Sequence, residues 1–410
     1  MCCGVLDMEI RTYSLGDILT LIMDFRGKTP KKLGLDWSSD GEIAAISAKN
    51  IKHGQLVNLD KCHRGSVKLY NTWMKDGDLK KGDLLLTSEA PLGEWYQVRA
   101  GDKFILSQRT FALRPNPRLV DADYFASVVG SRRFQNVLHN FATGTTVMGI
   151  RQKTLLTVPI ELPDIDTQRK IGQVISDLHT KFELNQQINN NLLRLMDVQW
   201  NKMFGSLNTA NGHFKDLATI VAGGTPSKKK DDYFGGNISW ITPKDMSLTN
   251  DVFIERGSLN ITEAGLKGSS AKLLPKGTLL FSSRAPIGYL GIAANPVTTN
   301  QGFKSLIPKR DENTEYLYFL LKNLTPYIEG IAGGSTFKEI SGAGMKSVEF
   351  PLPTDNQIDA FHNIVTPMFD MVRNNEQQNK KLTDLRDLLL PRLLAGNIDL
   401  SNIETVMNNA

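Results

Sequence analysis

The sequence predicts a mixed α/β (α+β) protein: two similar lobes of short strands and helices, each followed by one long helix. Three observations predict it. The chain repeats itself, in order, over about half its length. Each half begins with short β-branched or apolar runs bounded by Gly, Pro and Asn turn signals, and each ends in a heptad-spaced stretch rich in Leu, Ile, Gln and Asn. A chain of 410 residues also exceeds what one hydrophobic core usually serves. Apolar residues at 40% and charged residues at 22% describe an ordinary folded protein rather than a disordered one.

The repeat is carried by several segments. LKKGDLLLTSEAPLG (Leu79 to Gly93) returns as LLPKGTLLFSSRAPIG (Leu273 to Gly288), with Gly82 matching Gly277, Pro91 matching Pro286 and Gly93 matching Gly288. The shift is about 195 positions. EIAAISAKNI (Glu42 to Ile51) matches NISWITPKDM (Asn237 to Met246), and GKTP ending at Pro30 matches GGTP ending at Pro226. Further on, ATGTT (Ala142 to Thr146) matches AGGST (Ala332 to Thr336), and IELP ending at Pro163 matches FPLP ending at Pro353. Runs such as Leu84 to Thr87 and Thr278 to Phe281 read as strands, so residues 1–163 and 209–353 are the two lobes. Residues 164–208 and 354–410 are the helical regions.

Within the helical regions, Ser176 and Thr366 occupy matching positions, and Thr366 precedes Pro367, a residue favoured at the first helical position. A new helix is therefore expected to start at each. From there Leu178, Phe182, Asn185, Asn189, Leu192 and Met196 recur at four- and three-residue steps, as do Met368, Val372, Asn375, Asn379, Leu382 and Arg386. This is a heptad seam with two consecutive Asn at the middle of each helix. Antiparallel packing would bring those polar centres together, costing stability but fixing the register. A helix of ~27 residues is ~40 Å long, close to the ~34 to 36 Å of one DNA turn. Unlike lobes on such a spacer suit an asymmetric split site, whereas a homodimer would read a palindrome.

Other chemistries lack their residues. A formal charge of +5 with a pI near 8.9 allows a polyanionic partner but forms no basic tail. Cys2, Cys3 and Cys62 have no partner at metal-ligand or disulfide-framework spacing, and His53, His63, His139, His179, His213 and His362 include no i, i+4 pair. The GKT at Gly27 to Thr29 lacks the earlier Gly of a phosphate loop, since Ile22 stands there. The Asn-Pro pairs at Asn116 and Asn295 continue as Pro-Arg and Pro-Val, unlike an adenine methyltransferase motif. Pro163-Asp164 lacks the following acidic-x-Lys signature of a magnesium nuclease. No apolar run approaches the ~20 residues of a membrane span, so the expectation is a cytoplasmic protein without membrane contact.

The segments GGTPSKKK (Gly223 to Lys230), ISWITPKDM (Ile238 to Met246), SSRAPIG (Ser282 to Gly288), PLPTDNQ (Pro351 to Gln357) and LRDLLLPRLLAGNIDL (Leu385 to Leu400) resemble the specificity subunits of type I restriction-modification systems. The likeness covers almost the whole chain. It implies two pseudo-symmetric target recognition domains, each reading half of a split sequence in double-stranded DNA. It also implies that the two long helices pack as an antiparallel coiled coil, which sets the spacing and docks two methyltransferase subunits. Those subunits would bind S-adenosylmethionine, and motor/nuclease subunits would use ATP and magnesium. No catalytic residue, metal or cofactor is expected in this chain. Glu89 stands where the second lobe has Arg284, so this loop is not used identically in the two lobes.

Phosphate contacts should come from Lys and Arg, and base reading from side chains with several donors and acceptors. The repeated loops supply both: Lys28, Lys31, Lys32, Lys49, Glu89, Gln108, Arg109, Thr145 and Thr146 in the first lobe; Lys228, Lys229, Lys230, Lys244, Arg284, Gln301, Lys304, Ser335, Thr336 and Lys338 in the second. Gln108 with Arg109 has its near counterpart in Gln301 with Lys304. Glu89 and Arg284 are the first choices for base readout, since a carboxylate accepts from cytosine N4 and an arginine grips guanine. Trp200, Met203 and Phe204 are candidate apolar positions for partner helices. Two other readings stay open: a methyltransferase or nuclease fused to its recognition domains, and a coiled-coil scaffold whose lobes bind protein or carbohydrate.

Overall fold

The computed structural model describes residues 9–75, 77–334 and 338–398. The chain forms two compact units, Met1–Lys181 with Lys381–Ala410, and Phe182–Lys380.

In the first unit the main sheet is antiparallel, in the order Leu19–Asp24, Thr110–Pro115, Leu84–Ser88, Leu92–Gln97. The apolar run at its centre is continuous because both faces are covered. Leu84 and Leu86 point to a core with Phe111, Phe125 and Leu138, whereas Leu85 points to a second core with Met23, Trp73 and Ile105. This is the two-residue period of a strand expressed as two separate cores. A small sheet joins Arg64–Gly65, Ile43–Ile46 and Ile105–Leu106, the last pair parallel. Arg11–Ser14 pairs antiparallel with Pro159–Leu162.

The second unit repeats this plan. Its main sheet runs Ala218–Ala222, Lys304–Pro308, Leu279–Ser283, Ile287–Ala293, with Phe253–Ile254 added at the edge. Leu279 and Phe281 enter one core and Leu280 another. Leu259–Ile261, Phe234–Ile241 and Thr298–Thr299 form the small sheet, and Ala210–His213 pairs with Glu349–Pro351. The matched glycines of the repeat stand at left-handed turns: Gly82 and Gly277 at φ +90° and +86°, Gly93 and Gly288 at +88° and +101°. Those angles are why glycine recurs there.

The long helices are Ile165–Phe204 and Asp355–Leu394, of 40 residues each. Asp164 caps the first, its carboxylate accepting from the Asp166 and Thr167 N–H groups at 3.1 and 3.0 Å; the Thr167 hydroxyl bond also holds the carboxyl below its usual range. Thr354 and Gln357 form a reciprocal capping box on the second. The expected helix starts at Ser176 and Thr366 are therefore corrected: both lie inside continuous helices. Ile358, Phe361, Val365, Phe369 and Val372 are buried along one face on both sides of Pro367, and that packing carries the helix through the proline.

The two helices pair antiparallel along the expected seam. Within the second unit, Asn185 donates to Asn379 Oδ1 at 2.9 Å and Gln378 Oε1 at 2.7 Å, and Asn375 donates to Asn189 Oδ1 at 2.8 Å. Asn189 in turn donates to the Val372 carbonyl at 3.3 Å. Leu178, Met196 and Val372 are buried, and Phe182, Leu192, Met368 and Leu382 are half-buried. Trp200 and Phe204 are core residues, 9% and 4% exposed, stacked among Tyr316 and Phe361 rather than offered to a partner.

Candidate nucleic-acid interface

Backbone hydrogen bonds gather the repeated loops of each unit at one place. In the first unit, Ala48 N–H donates to Gln108 O at 3.3 Å, Ser88 N–H to Arg109 O at 2.8 Å, and Ile150 N–H to Ser88 O at 2.9 Å. Thr143 and Gly149 exchange both backbone bonds and close a hairpin. Lys49, Gln108, Arg109, Thr145 and Thr146 are exposed on these segments. The Glu89 carboxylate, half-buried beside them, pairs with Arg109 Nε at 3.1 Å. Arg26, which the sequence reading did not single out, joins this group. It pairs with Asp24 at 2.7 Å, stacks 4.2 Å over the Phe111 ring and donates to the Ile150 carbonyl.

The second unit is laced in the same way. Asn300 N–H donates to Ile241 O at 3.0 Å, Ser283 N–H to Gly302 O at 2.7 Å, Ile340 N–H to Ser283 O at 3.0 Å, and Glu339 N–H to Gly333 O at 2.9 Å. Gly223 packs so tightly here that a Cβ would lie 1.9 Å from the Asn300 carbonyl oxygen, which explains the first glycine of the Gly-Gly-Thr-Pro segment. Lys228, Lys229, Lys230, Lys244, Gln301 and Lys338 are exposed. Lys244 rides on Pro243–Met246, a turn capped by Thr242 with Asp245, as Lys49 rides on Ala48–Asn50, capped by Ser47 with Asn50.

The turns at residues 88–93 and 283–288, termed the crest turns, carry the same hydrogen bonds. Thr87 Oγ1 donates to Pro91 O at 2.6 Å and accepts from Glu94 N–H at 2.9 Å; Ser282 Oγ donates to Pro286 O at 2.8 Å and accepts from Tyr289 N–H at 2.7 Å. Between these anchors Ala90 and Ala285 take left-handed backbone, φ +51° and +58°. An alanine is strained there, and the same strain recurs in both units.

Other predicted residues are placed differently. Lys28 folds back over the Phe25 ring at 4.2 Å and donates to Trp73 O, and Lys32 donates to Gly27 O, while Lys31 is exposed. Lys230 bonds the Tyr233 hydroxyl at 2.8 Å, and Lys338 the Glu329 carbonyl at 3.2 Å. Ser335 and Thr336 lie outside the described residues. Lys304 is turned inward, its side chain 10% exposed. The sheet register also corrects its pairing in the repeat. Leu113 and Leu306 face Leu84 and Leu279, so Lys304 stands at the place of Phe111, and Gly302 at that of Arg109. Arg284 Nη1 meets Glu339 at 3.2 Å, and Lys304 reaches the other oxygen of the same carboxylate at 3.6 Å. Glu339 escaped the repeat-based reading because its counterpart, Gly149, has no side chain to match.

Among the described residues no helix is long and apolar enough to cross a membrane, and no group of His, Cys, Asp and Glu could hold a metal ion.

The chain is similar to known proteins along its whole length. It is 45% identical over 170 residues to the MjaIX specificity subunit of Methanocaldococcus jannaschii, a match spanning 41% of this chain and 39% of that protein. It is 23% identical to the HindI specificity subunit of Haemophilus influenzae, covering 95% of this chain and 99% of the relative. The crystal structure of the S subunit of a type I restriction-modification system from M. genitalium shares the fold, with a TM-score of 0.59 at 15% identity over 96% of this chain and 98% of that one. The model of the type I restriction modification DNA specificity domain matches twice, over residues 8–194 and 210–384. The doubled match falls on the same two halves that repeat in sequence and in hydrogen bonding, and the chain belongs to the family of type I restriction-modification specificity subunits, with two target recognition domains.

Proposed function

We propose that each unit reads one half of an asymmetric, bipartite double-stranded DNA target through its crest segments, and that the chain performs no chemistry itself. The observation that carries this is the duplicated scaffold with unlike side chains. The same backbone lacing and hydroxyl clamps present Glu89, Gln108 and Arg109 in one unit and Arg284 and Gln301 in the other. A shared frame with different donors and acceptors suits two different half-sites. Exposed lysines at positions 31, 49, 228, 229 and 244 suit the phosphates, which position without specifying sequence.

The chemistry would belong to partners: two methyltransferase subunits carrying S-adenosylmethionine, and motor/nuclease subunits using ATP and magnesium. An apolar stripe on the first long helix supports the docking of a methyltransferase. Leu184, Ile188, Leu195 and Val198 are 48%, 39%, 56% and 65% exposed at heptad-compatible spacing, on a face the seam does not use.

Selection of the full chain on a randomised duplex library tests the reading. A split motif with unlike halves is the expected result. Recovery of no DNA motif would favour a protein- or carbohydrate-binding scaffold. Methyl transfer or cleavage by the purified chain, given S-adenosylmethionine and magnesium, would favour a fused enzyme.

A further inference from the structure

Both crest turns lean on a hairpin through the same antiparallel bridge: Glu89 faces Gly149 in the first unit, and Arg284 faces Glu339 in the second. At this one bridge the charges are rearranged. The first unit draws its carboxylate from the turn and its cation from Arg109, 3.1 Å away, while the neighbouring Arg26 is paired with Asp24 and donates to the Ile150 carbonyl. The second unit draws its carboxylate from the hairpin and its cations from the turn and the sheet, Arg284 and Lys304. Gly149 leaves room for the first arrangement. A Cβ there would lie 3.2 Å from the Glu89 Cβ and 3.4 Å from its Oε2, so a side chain at 149 would crowd the Glu89 side chain. In the second unit that side chain is Glu339.

We propose that Glu339 is a specificity-determining positioning residue: what the second crest offers to a base edge is set by the pair Arg284 and Glu339 together, not by Arg284 alone. The inference rests on the DNA-reading function proposed above. Its physical basis is the geometry of the guanidinium, which has five N–H donors in a rigid fork. Glu339 takes the Nη1 end at 3.2 Å. That leaves the Nε and Nη2 edge, which takes no side-chain acceptor among the described residues, suited to the O6 and N7 of guanine. The other carboxylate oxygen is fixed by Lys304, which also donates to the buried Ser283 Oγ at 3.4 Å. Glu339 is thereby tied to the sheet, and Arg284, 36% exposed, is held to Glu339 instead of sweeping freely. Orienting a long side chain before binding removes part of the entropy cost of ordering it on DNA.

The test uses the full chain as wild type, Glu339→Ala, Glu339→Asp, and the exchange Arg284→Glu with Glu339→Gly, which copies the first unit. Each is put through selection on a randomised duplex library, and affinity for the unselected pool is measured across a salt series. Glu339→Ala should lower discrimination at a single base pair of one half-site by about tenfold, leaving pool affinity and the other half-site as in wild type. Glu339→Asp should recover part of that loss. The exchange should keep a preference at the same base pair but change the base from guanine to cytosine on the strand read. Wild-type preference at every position in Glu339→Ala overturns the inference, as does a loss spread evenly over both half-sites, which would mark a merely structural residue. If Glu339→Ala does not fold, the exchange decides, and an unchanged base overturns the inference. A wild-type chain that selects no motif overturns the DNA-reading function as well, so the two failures are distinct.

Discussion

His179 shows how one buried side chain couples this fold to pH. It sits on the first long helix against the Trp95 ring, at 6.4 Å, and over the backbone at Gly54. Burial, then the nearby Arg99 and Arg386 charges, push its pKa from 6.5 down to about 4. The unfolded chain therefore binds a proton near pH 6.5 that the folded chain refuses until about pH 4. Stability should be full above pH 6.5 and fall as the pH drops through that window, by roughly 2 kcal/mol after allowing for partial solvent screening. Replacing His179 with Gln removes the titration. The difference in Tm between variant and wild type should shift in favour of the variant as pH falls from 7.5 to 4.5, and a constant difference would show that His179 is not the group responsible.

At the scale of elements, the long helices show what the sequence discloses and what it hides. The seam was legible because heptad spacing is a property of the sequence itself, and the Asn pairs meet as the register required. The crest turns were legible for a similar reason, since the glycines at left-handed angles and the prolines two residues before them answer to local backbone demands. The helix starts were not. Thr366-Pro367 is a valid local signal, but it is outweighed by an apolar face that runs from Ile358 to Val372, a tertiary effect no local window contains. The Glu339 carboxylate was hidden too, because a repeat reveals matched side chains and not a charge moved to another segment. Pro367 supplies a direct check. It is exposed within a helix and lacks the N–H that would bond one turn back. Pro367→Ala should stabilise the chain by about 1 to 3 kcal/mol, seen as a higher Tm with an unchanged DNA preference. The Asn pair gives the opposite sign. Asn185→Leu leaves the Asn379 and Gln378 carbonyls without that donor and should destabilise, whereas Asn185→Leu with Asn379→Leu should recover much of the loss while loosening the register.

At the scale of the whole molecule, the surfaces proposed for recognition and for assembly are made of different residues and should be separable. The stripe of Leu184, Ile188, Leu195 and Val198 faces solvent, while the residues proposed to read DNA sit on the crest loops. Leu195→Glu with Val198→Glu should reduce co-purification of the methyltransferase subunits and leave the selected motif of the chain unchanged. A motif altered along with assembly would count against separate surfaces.

The two recognition domains should likewise act as independent readers, because each crest is laced and ion-paired within its own unit. Arg109→Ala should relax preference only in one half-site and Arg284→Ala only in the other, each by about 1 to 3 kcal/mol. Residues of separate clusters with no shared partner contribute additively, so the double variant should lose the sum to within about 0.5 kcal/mol. Lys229→Ala supplies the contrast, since removing a cation proposed to serve a phosphate should weaken all sequences alike and reduce the salt slope by about 1. Titrating the wild type and the four variants against duplexes mutated in one half, the other, or both measures these effects directly. A coupling energy well beyond additivity would mean that one crest senses what the other has bound, and the chain would then be a cooperative reader rather than two readers on one polypeptide.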